Sequence, residues 1–228
     1  MSKRIVIAGG HGKIALRLER LLTQRGDTVV GLVRNPAHAA DLEAAGAEAA
    51  VIDLEHATVA EVAGQVRGAD AVVFAAGAGP GSGAARKDTV DRAAAVLLAD
   101  AAIEAGVGRY VMVSAMGADR RVDDKAPSEK GEVDPVFAAY LQAKAAADED
   151  VLARSELQTT VVRPGHLTDD DGTGLVFIAS STGRGDVPRQ DVAAVLVAVL
   201  DAPDTAGQTF ELISGETPIA DAVAAVRR

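Results

Sequence analysis

Cysteine is absent from the 228 residues, which excludes disulfides, thiolate nucleophiles and cysteine-ligated metals. A basic surplus is also missing. The 23 Lys and Arg are outnumbered by 33 Asp and Glu, giving a formal charge of −10 and no basic stripe to neutralise a phosphate backbone. Nucleic acid is therefore not an expected partner. No uninterrupted apolar run reaches the roughly 18 residues that a membrane-crossing helix needs. The chain enters a strand-like segment at Ile5 with no signal-peptide pattern before it. A cytoplasmic protein acting on a small molecule, with no membrane partner and either monomeric or homodimeric, is the expectation. Histidine is scarce, and the spacing of His11, His38, His56 and His166 points to no metal site.

What is present is an apolar share of 48%, much of it alanine, on a length that suits one large α/β domain and is too short for two. The organising stretch is the N-terminus. Ile5-Val6-Ile7-Ala8 is apolar without alternation, as a strand buried on both faces requires. Gly9, Gly10 and Gly12 follow. The period then turns helical, with Ile14, Leu18, Leu21 and Leu22 on one face and charge at Lys13, Arg17, Glu19 and Arg20. Strand, glycine turn and helix N-terminus make a phosphate cradle, because free amide N–H groups and the helix dipole face an anion. The spacing Gly9-x-x-Gly12-x-x-Ala15 is a variant dinucleotide fingerprint whose small third residue lets helix pack on sheet.

Further strands are predicted at Thr28–Val33, Ala47–Ile52, Ala69–Ala75, Arg109–Val113 and Thr159–Arg163, with helical patterns between them. Asn35 is placed to cap a turn with Pro36 at its first position, and Thr58 with Glu61 forms a capping box. A helix is expected over about Thr89–Ala105 and another over Ala138–Leu152. Later come a helix over Arg189–Leu200, a strand over Thr209–Ile213 and a terminal helix over Ile219–Val226. This alternation is the βαβ signature of a doubly wound parallel sheet. The fold expected is α/β and Rossmann-type, in strand order 3-2-1-4-5-6, with a small C-terminal cap. Residues 1–228 would form a single domain, with substrate-side loops at about 115–137 and 165–188. The stretch Asp119–Asp134 reads as a mobile loop and Thr168–Pro188 as irregular. Both fall after strands, at the carboxyl edge where open α/β folds bind ligands.

Several residues at that edge carry chemistry. Arg34 follows the second strand, where an arginine can pair with a 2′-phosphate or simply stand solvated at a helix start. Asp53 follows the third strand and can either accept from an adenine amino group or cap a helix. Ala75-Ala76-Gly77 leaves the fourth strand with minimal side chains, which fits a flat cofactor or a plain tight turn. Tyr140 and Lys144 are four apart on one helical face, where the ammonium is expected to lower the phenol pKa and make it an acid/base. Ser114, one residue past the fifth strand, can donate to a carbonyl or serve as a turn residue. His166 can donate a proton, bind an anion or be a loop residue near the pocket. Asp169, Asp170 and Asp171 are expected to rim the same mouth and to favour neutral or cationic acceptors over anionic ones.

The segments GGHGKIA, LVRNP, DLEH, VFAAG, YVMVSAMGA, YLQAK, TTVVRPGHLTDDDGTG and RQDVAAVL cover nearly the whole chain. On them the chain resembles the atypical short-chain dehydrogenases/reductases, in the compact NAD(P)-binding group akin to NmrA-like proteins and biliverdin reductase B-like flavin reductases. The resemblance implies that Gly9, Gly12 and Ala15 hold the pyrophosphate, Arg34 the 2′-phosphate and Asp53 the adenine. Lys13, Ile14, Leu54, Ala75, Ala76 and Gly77 complete the implied cofactor set. Tyr140 would be the proton donor, Lys144 would hold the nicotinamide ribose, and Ser114 would assist at the carbonyl. The Pro164-Gly165 backbone would position the nicotinamide amide, and His166 resembles the histidine of the Pro-Pro-His-Ile segment in the flavin and biliverdin reductases. One departure is Ala15 in place of the third fingerprint glycine. The function implied is NADP-dependent reduction of a small carbonyl, quinone or flavin-like acceptor, with NAD as the other cofactor. A non-catalytic NADP-binding sensor or regulator and a small epimerase-like enzyme are the alternatives, since fold does not settle activity.

Overall fold

Eleven strands and seven α-helices account for most of the architecture of the computed structural model, which describes residues 2–77, 79, 86–118 and 135–226. In chain order, β1 (Arg4–Ala8), α1 (Lys13–Gln24), β2 (Thr28–Val33), α2 (Ala39–Ala44) and β3 (Glu48–Val51) come first. Then follow α3 (Val59–Val66), β4 (Ala71–Phe74), a π-helical segment (Lys87–Ala93) running into α4 (Ala94–Glu104), β5 (Arg109–Val113) and α5 (Pro135–Leu152). The remainder is β6 (Gln158–Pro164), β7 (His166–Thr168), β8 (Leu175–Ala179), β9 (Asp186–Pro188), α6 (Arg189–Leu200), β10 (Thr209–Ser214), β11 (Thr217–Pro218) and α7 (Ile219–Ala225).

The large sheet has the order β11-β8-β10-β6-β5-β4-β1-β2-β3. It contains the expected 3-2-1-4-5-6 arrangement, and every pair from β3 to β10 is parallel. Alternation along the central strands feeds two apolar layers. Ile5, Ile7, Val73, Val111 and Val113 point to one, and Val6, Ala8, Val72, Phe74 and Met112 to the other. Strands buried on both faces have no polar side, hence their unbroken apolar runs. The first layer is closed by Ala15, Leu18 and Leu22 of α1 with Val192, Leu196 and Val199 of α6. The second is closed by Val62 and Val66 of α3, Leu98 and Ala102 of α4, and Ala147 and Val151 of α5.

The C-terminal segment read as a small cap takes two forms. β10 extends the sheet in parallel beside β6, and β8 and β11 add antiparallel strands beyond it. β7 and β9 pair separately as a two-stranded ribbon. The stretch Thr168–Pro188 is thus more regular than its glycines and aspartates suggest, holding β8 and β9. The loop expected over Asp119–Asp134 lies outside the described residues. Local capping follows the sequence reading. Thr58 and Glu61 bond reciprocally at the start of α3, and the Asn35 side chain accepts from the Ala37 amide.

Candidate dinucleotide and active site

The carboxyl ends of β1, β2, β3 and β4 surround a cavity of about 370 Å³. Of the residues expected to bind cofactor, Gly9, Gly12, Arg34 and Asp53 line it, as do Leu54, Ala75, Ala76 and Gly77. Gly9 has φ of +82°, and a Cβ there would lie 2.6 Å from the Ala76 Cα, so only glycine lets the turn touch the segment after β4. Gly12 caps α1 in an extended conformation and brings no capping side chain, which leaves the first-turn amides and the helix dipole to an outside anion. A Cβ at Gly12 would intrude to 3.1 Å from the Gly9 carbonyl oxygen. These residues fit a dinucleotide: a bare turn at a helix N-terminus beside a cleft floored by small side chains.

Beneath the turn lies a residue assigned by sequence to the charged face of α1. Glu19 is fully buried, and its carboxyl oxygens have no hydrogen-bond partner among the described residues. It fits because Gly10 and Gly31 have no side chains; Cβ atoms there would lie 3.1 and 2.7 Å from its Oε1. Burial pushes its pKa up to about 8, against a smaller downward pull from Arg20, so the carboxyl is neutral at pH 7.

At the β2–β3 end of the cleft, Arg34 Nη1 donates to Glu55 Oε2 at 2.8 Å, and Arg86 Nη2 donates to the same oxygen at 2.9 Å. The Thr89 hydroxyl donates to Glu55 Oε1 at 2.8 Å. The Arg86 bond, opposed by burial and helped by Thr89 and the charges of both arginines, holds the Glu55 carboxyl below its usual range. Asp53 accepts from the Glu55 amide at 3.1 Å and meets the His56 ring at 3.0 Å. Burial raises the Asp53 pKa, but these two bonds, with the charges of His56 and Arg34, bring it below its ordinary value. His11 and His38 stack at the cleft, 3.6 Å between ring centroids and 12° between planes, and His11 Nε2 reaches Asp41 at 2.8 Å. Sequence reasoning missed His11, His38, Glu55 and Arg86 as cleft residues. Only Glu55 carried a signal, its place in the DLEH segment beside Asp53.

The expected catalytic residues sit deeper. Lys144 is 3% exposed, with its Nζ 3.4 Å from Asp91 Oδ1, 3.1 Å from the Val113 carbonyl and 3.5 Å from the Ala76 carbonyl. It therefore lies below the cleft floor without lining it. Asp91, fully buried on the π-helical segment, lies against this ammonium. Burial, and then the charges of Asp91 and Asp148, push the Tyr140 phenol well above its ordinary value. Ser114 is buried as well. Its hydroxyl, 4% exposed, donates to Asp148 Oδ2 at 2.8 Å, so its proton is directed into the protein. Arg163 Nε donates to the same oxygen at 2.9 Å. Burial raises the Asp148 pKa, against downward pulls from Arg163, Ser114 and Lys144.

Other expected residues gather beyond the ends of β5 and β6. The Pro164 carbonyl accepts from the Met116 amide at 3.0 Å, and the Gly165 amide donates to the Leu212 carbonyl at 2.8 Å. A Cβ at Gly165 would come within 2.2 Å of the Gly185 carbonyl oxygen, which requires glycine there. His166 lies on the ribbon with an exposed ring, its Nδ1 3.2 Å from Asp186 Oδ1, and it does not line the cleft. Ile14, in the first turn of α1, packs partly buried against the core. Lys13 turns its ammonium to Asp169, which Arg189 Nη1 also meets at 3.0 Å and Arg17 at 3.6 Å. The Lys13 bond first, then the Arg189 and Arg17 charges, outweigh burial and keep Asp169 ionised below the usual carboxyl range. Asp169 is therefore surrounded by cations rather than presented as bare charge. Among the described residues there is no cluster suited to a metal ion, and no helix is long and apolar enough to cross a membrane.

Comparison with known proteins agrees with this geometry. Residues 9–203 match the family model described as NAD(P)H-binding. The chain is 36% identical over 221 residues to a Bacillus subtilis protein named uncharacterized sugar epimerase YhfK, covering 96% of this chain and 98% of that one. A solved structure of a candidate NAD-dependent epimerase/dehydratase from Bacillus halodurans superposes with a TM-score of 0.86 at 34% identity, covering 98% of this chain and all of the other. The anaerobilin reductase ChuY of Escherichia coli O157:H7 superposes with a TM-score of 0.72 at 25% identity, over 92% of this chain and 97% of that one.

Proposed function

The chain belongs to the NAD(P)H-binding family, and from it we propose an NADPH-dependent reductase of a small carbonyl, quinone or flavin-like acceptor. The observation that carries this reading is the glycine turn at the N-terminus of α1, uncapped by any side chain and open to an anion beside a cleft floored by small residues. Tyr140, whose phenol proton is held by burial and by the charges of Asp91 and Asp148, is the group we assign as donor to a developing alkoxide. A bound reduced nicotinamide would supply the hydride, two electrons and one proton's worth of hydrogen, to the electrophilic atom of the acceptor. Tyr140 would give the second proton to the acceptor oxygen and be reprotonated from solvent. Lys144, pinned by Asp91 below the Ala76 carbonyl, would fix the cleft floor and the helix that carries Tyr140. Gly12 and the first turn of α1 would receive the pyrophosphate, and Arg34 with Arg86 the 2′-phosphate.

A second reading, a small sugar epimerase, is supported by the name of the B. subtilis relative. That chemistry needs the tyrosine to take a hydroxyl proton as the hydride leaves the sugar and to return it when the hydride comes back. The two readings separate on cofactor balance. A screen of ketones, quinones and flavins is expected to oxidise NADPH in step with acceptor reduced. Conversion of a nucleotide sugar with no net change in the nicotinamide would favour the epimerase, and no turnover of either class would favour a binding protein.

A further inference from the structure

Two guanidinium groups and a hydroxyl converge at the adenosine end of the cleft, from two stretches of the chain. Arg34 follows β2, Arg86 precedes the π-helical segment and Thr89 lies within it. Their shared partner belongs to the protein: the Glu55 carboxylate takes both arginines on Oε2 and the threonine on Oε1. Arg34 and Arg86 are about half exposed, whereas the Glu55 side chain is only 16% exposed, so the cations can be reached from solvent while the internal anion is held. Donors set this way form an anion site already filled from within. Resting on the reading of Arg34 as a 2′-phosphate residue, we infer that Glu55 competes with the 2′-phosphate for Arg34 and Arg86 and sets how strongly the cleft discriminates NADPH from NADH.

Chemistry gives the competition its direction. A phosphate monoester brings up to two negative charges and three acceptor oxygens, whereas Glu55 brings one charge and two oxygens. The phosphate can take the guanidinium groups, but only by separating them from Glu55 and leaving that carboxylate beside a dianion. An unphosphorylated ribose makes no such demand, because it brings no charge and leaves both arginines in place on Glu55. The internal carboxylate therefore subtracts from NADPH affinity and leaves NADH affinity nearly alone.

Calorimetry tests this on the wild type, Glu55→Gln, Arg34→Ala and the double variant, with NADPH, NADH and adenosine 2′,5′-bisphosphate as ligands. Glu55→Gln is expected to tighten NADPH and the bisphosphate roughly tenfold, the size of one charge-assisted contact, with NADH little changed. The gain should vanish in the double variant. Thr89→Val, which removes only the hydroxyl that fixes Glu55, should shift the phosphorylated ligands the same way by less. Unchanged or weaker binding of both phosphorylated ligands to folded Glu55→Gln, or equal gains for NADH, would overturn the inference. The preference for NADPH fails separately, if the wild type binds NADH as tightly. A selective gain in Glu55→Gln alongside equal wild-type affinities leaves the role of Glu55 standing and removes only that preference.

Discussion

Glu19 shows how a single buried group can tie stability to pH. Its folded pKa of about 8 lies above the ordinary 4.5, so stability from keeping it neutral is complete below about pH 4.5. That stability is lost as pH rises toward and through about 8, because the unfolded chain ionises first. Glu19→Gln removes the titration. The variant is expected to gain on the wild type between about pH 5 and pH 8, by on the order of a few kcal/mol. Urea unfolding of both proteins across that range measures it, and a constant difference between them would show that Glu19 does not titrate late. The amide carries its own burial cost, but that offset is the same at every pH, so the slope is the quantity to compare. Nothing in the sequence signalled this residue. Its position beside Leu18 looks like ordinary helix charge, and its burial depends on Gly10 and Gly31, which meet only after β1 and β2 pair.

Among the elements, the π-helical segment Lys87–Ala93 connects the two ends of the site. It carries Thr89, which bonds Glu55 at the β2–β3 end of the cleft, and Asp91, which meets Lys144 below the floor. Removing one partner of a buried pair leaves an uncompensated charge, at a cost of about 3–5 kcal/mol. Asp91→Asn and Lys144→Met are therefore each expected to destabilise strongly, while the double variant should lose clearly less than the sum. Chemical denaturation of the four proteins gives the coupling, and simple additivity would mean that the pair does not act as a unit. Elements set by local chemistry were legible: the Thr58–Glu61 box, the Asn35 cap and the glycine turn each need only neighbours in sequence. β8 was hidden because Leu175–Ala179 is five residues long, lies between glycine pairs, and owes its existence to β10 and β11. The Tyr140–Lys144 spacing was legible too, but not its electrostatics, because Asp91 and Asp148 approach only in the folded protein.

Across the whole molecule, a net charge of −10 does not translate into a uniformly negative mouth. Asp169 joins the N-terminal turns of α1 and α6 through Lys13, Arg17 and Arg189, although Asp170 and Asp171 beside it are exposed. Because the cluster is solvent-facing, Asp169→Asn is expected to cost little stability, and less at high salt. Thermal unfolding at low and high ionic strength checks this. A loss that does not shrink with salt would mean that packing, not charge, holds the two helices there. The same sheet edge gathers the glycine turn, the Glu55 cluster and the helix bearing Tyr140, which is the arrangement expected of a ligand site in an open parallel sheet. The central claim, that this edge transfers a proton from Tyr140 during nicotinamide-dependent reduction, is tested most directly by Tyr140→Phe with kcat and NADPH affinity measured side by side. The account predicts a fall in kcat of about 10²- to 10⁴-fold on an accepted carbonyl substrate, with NADPH binding nearly unchanged. Full turnover by the phenylalanine variant would contradict it.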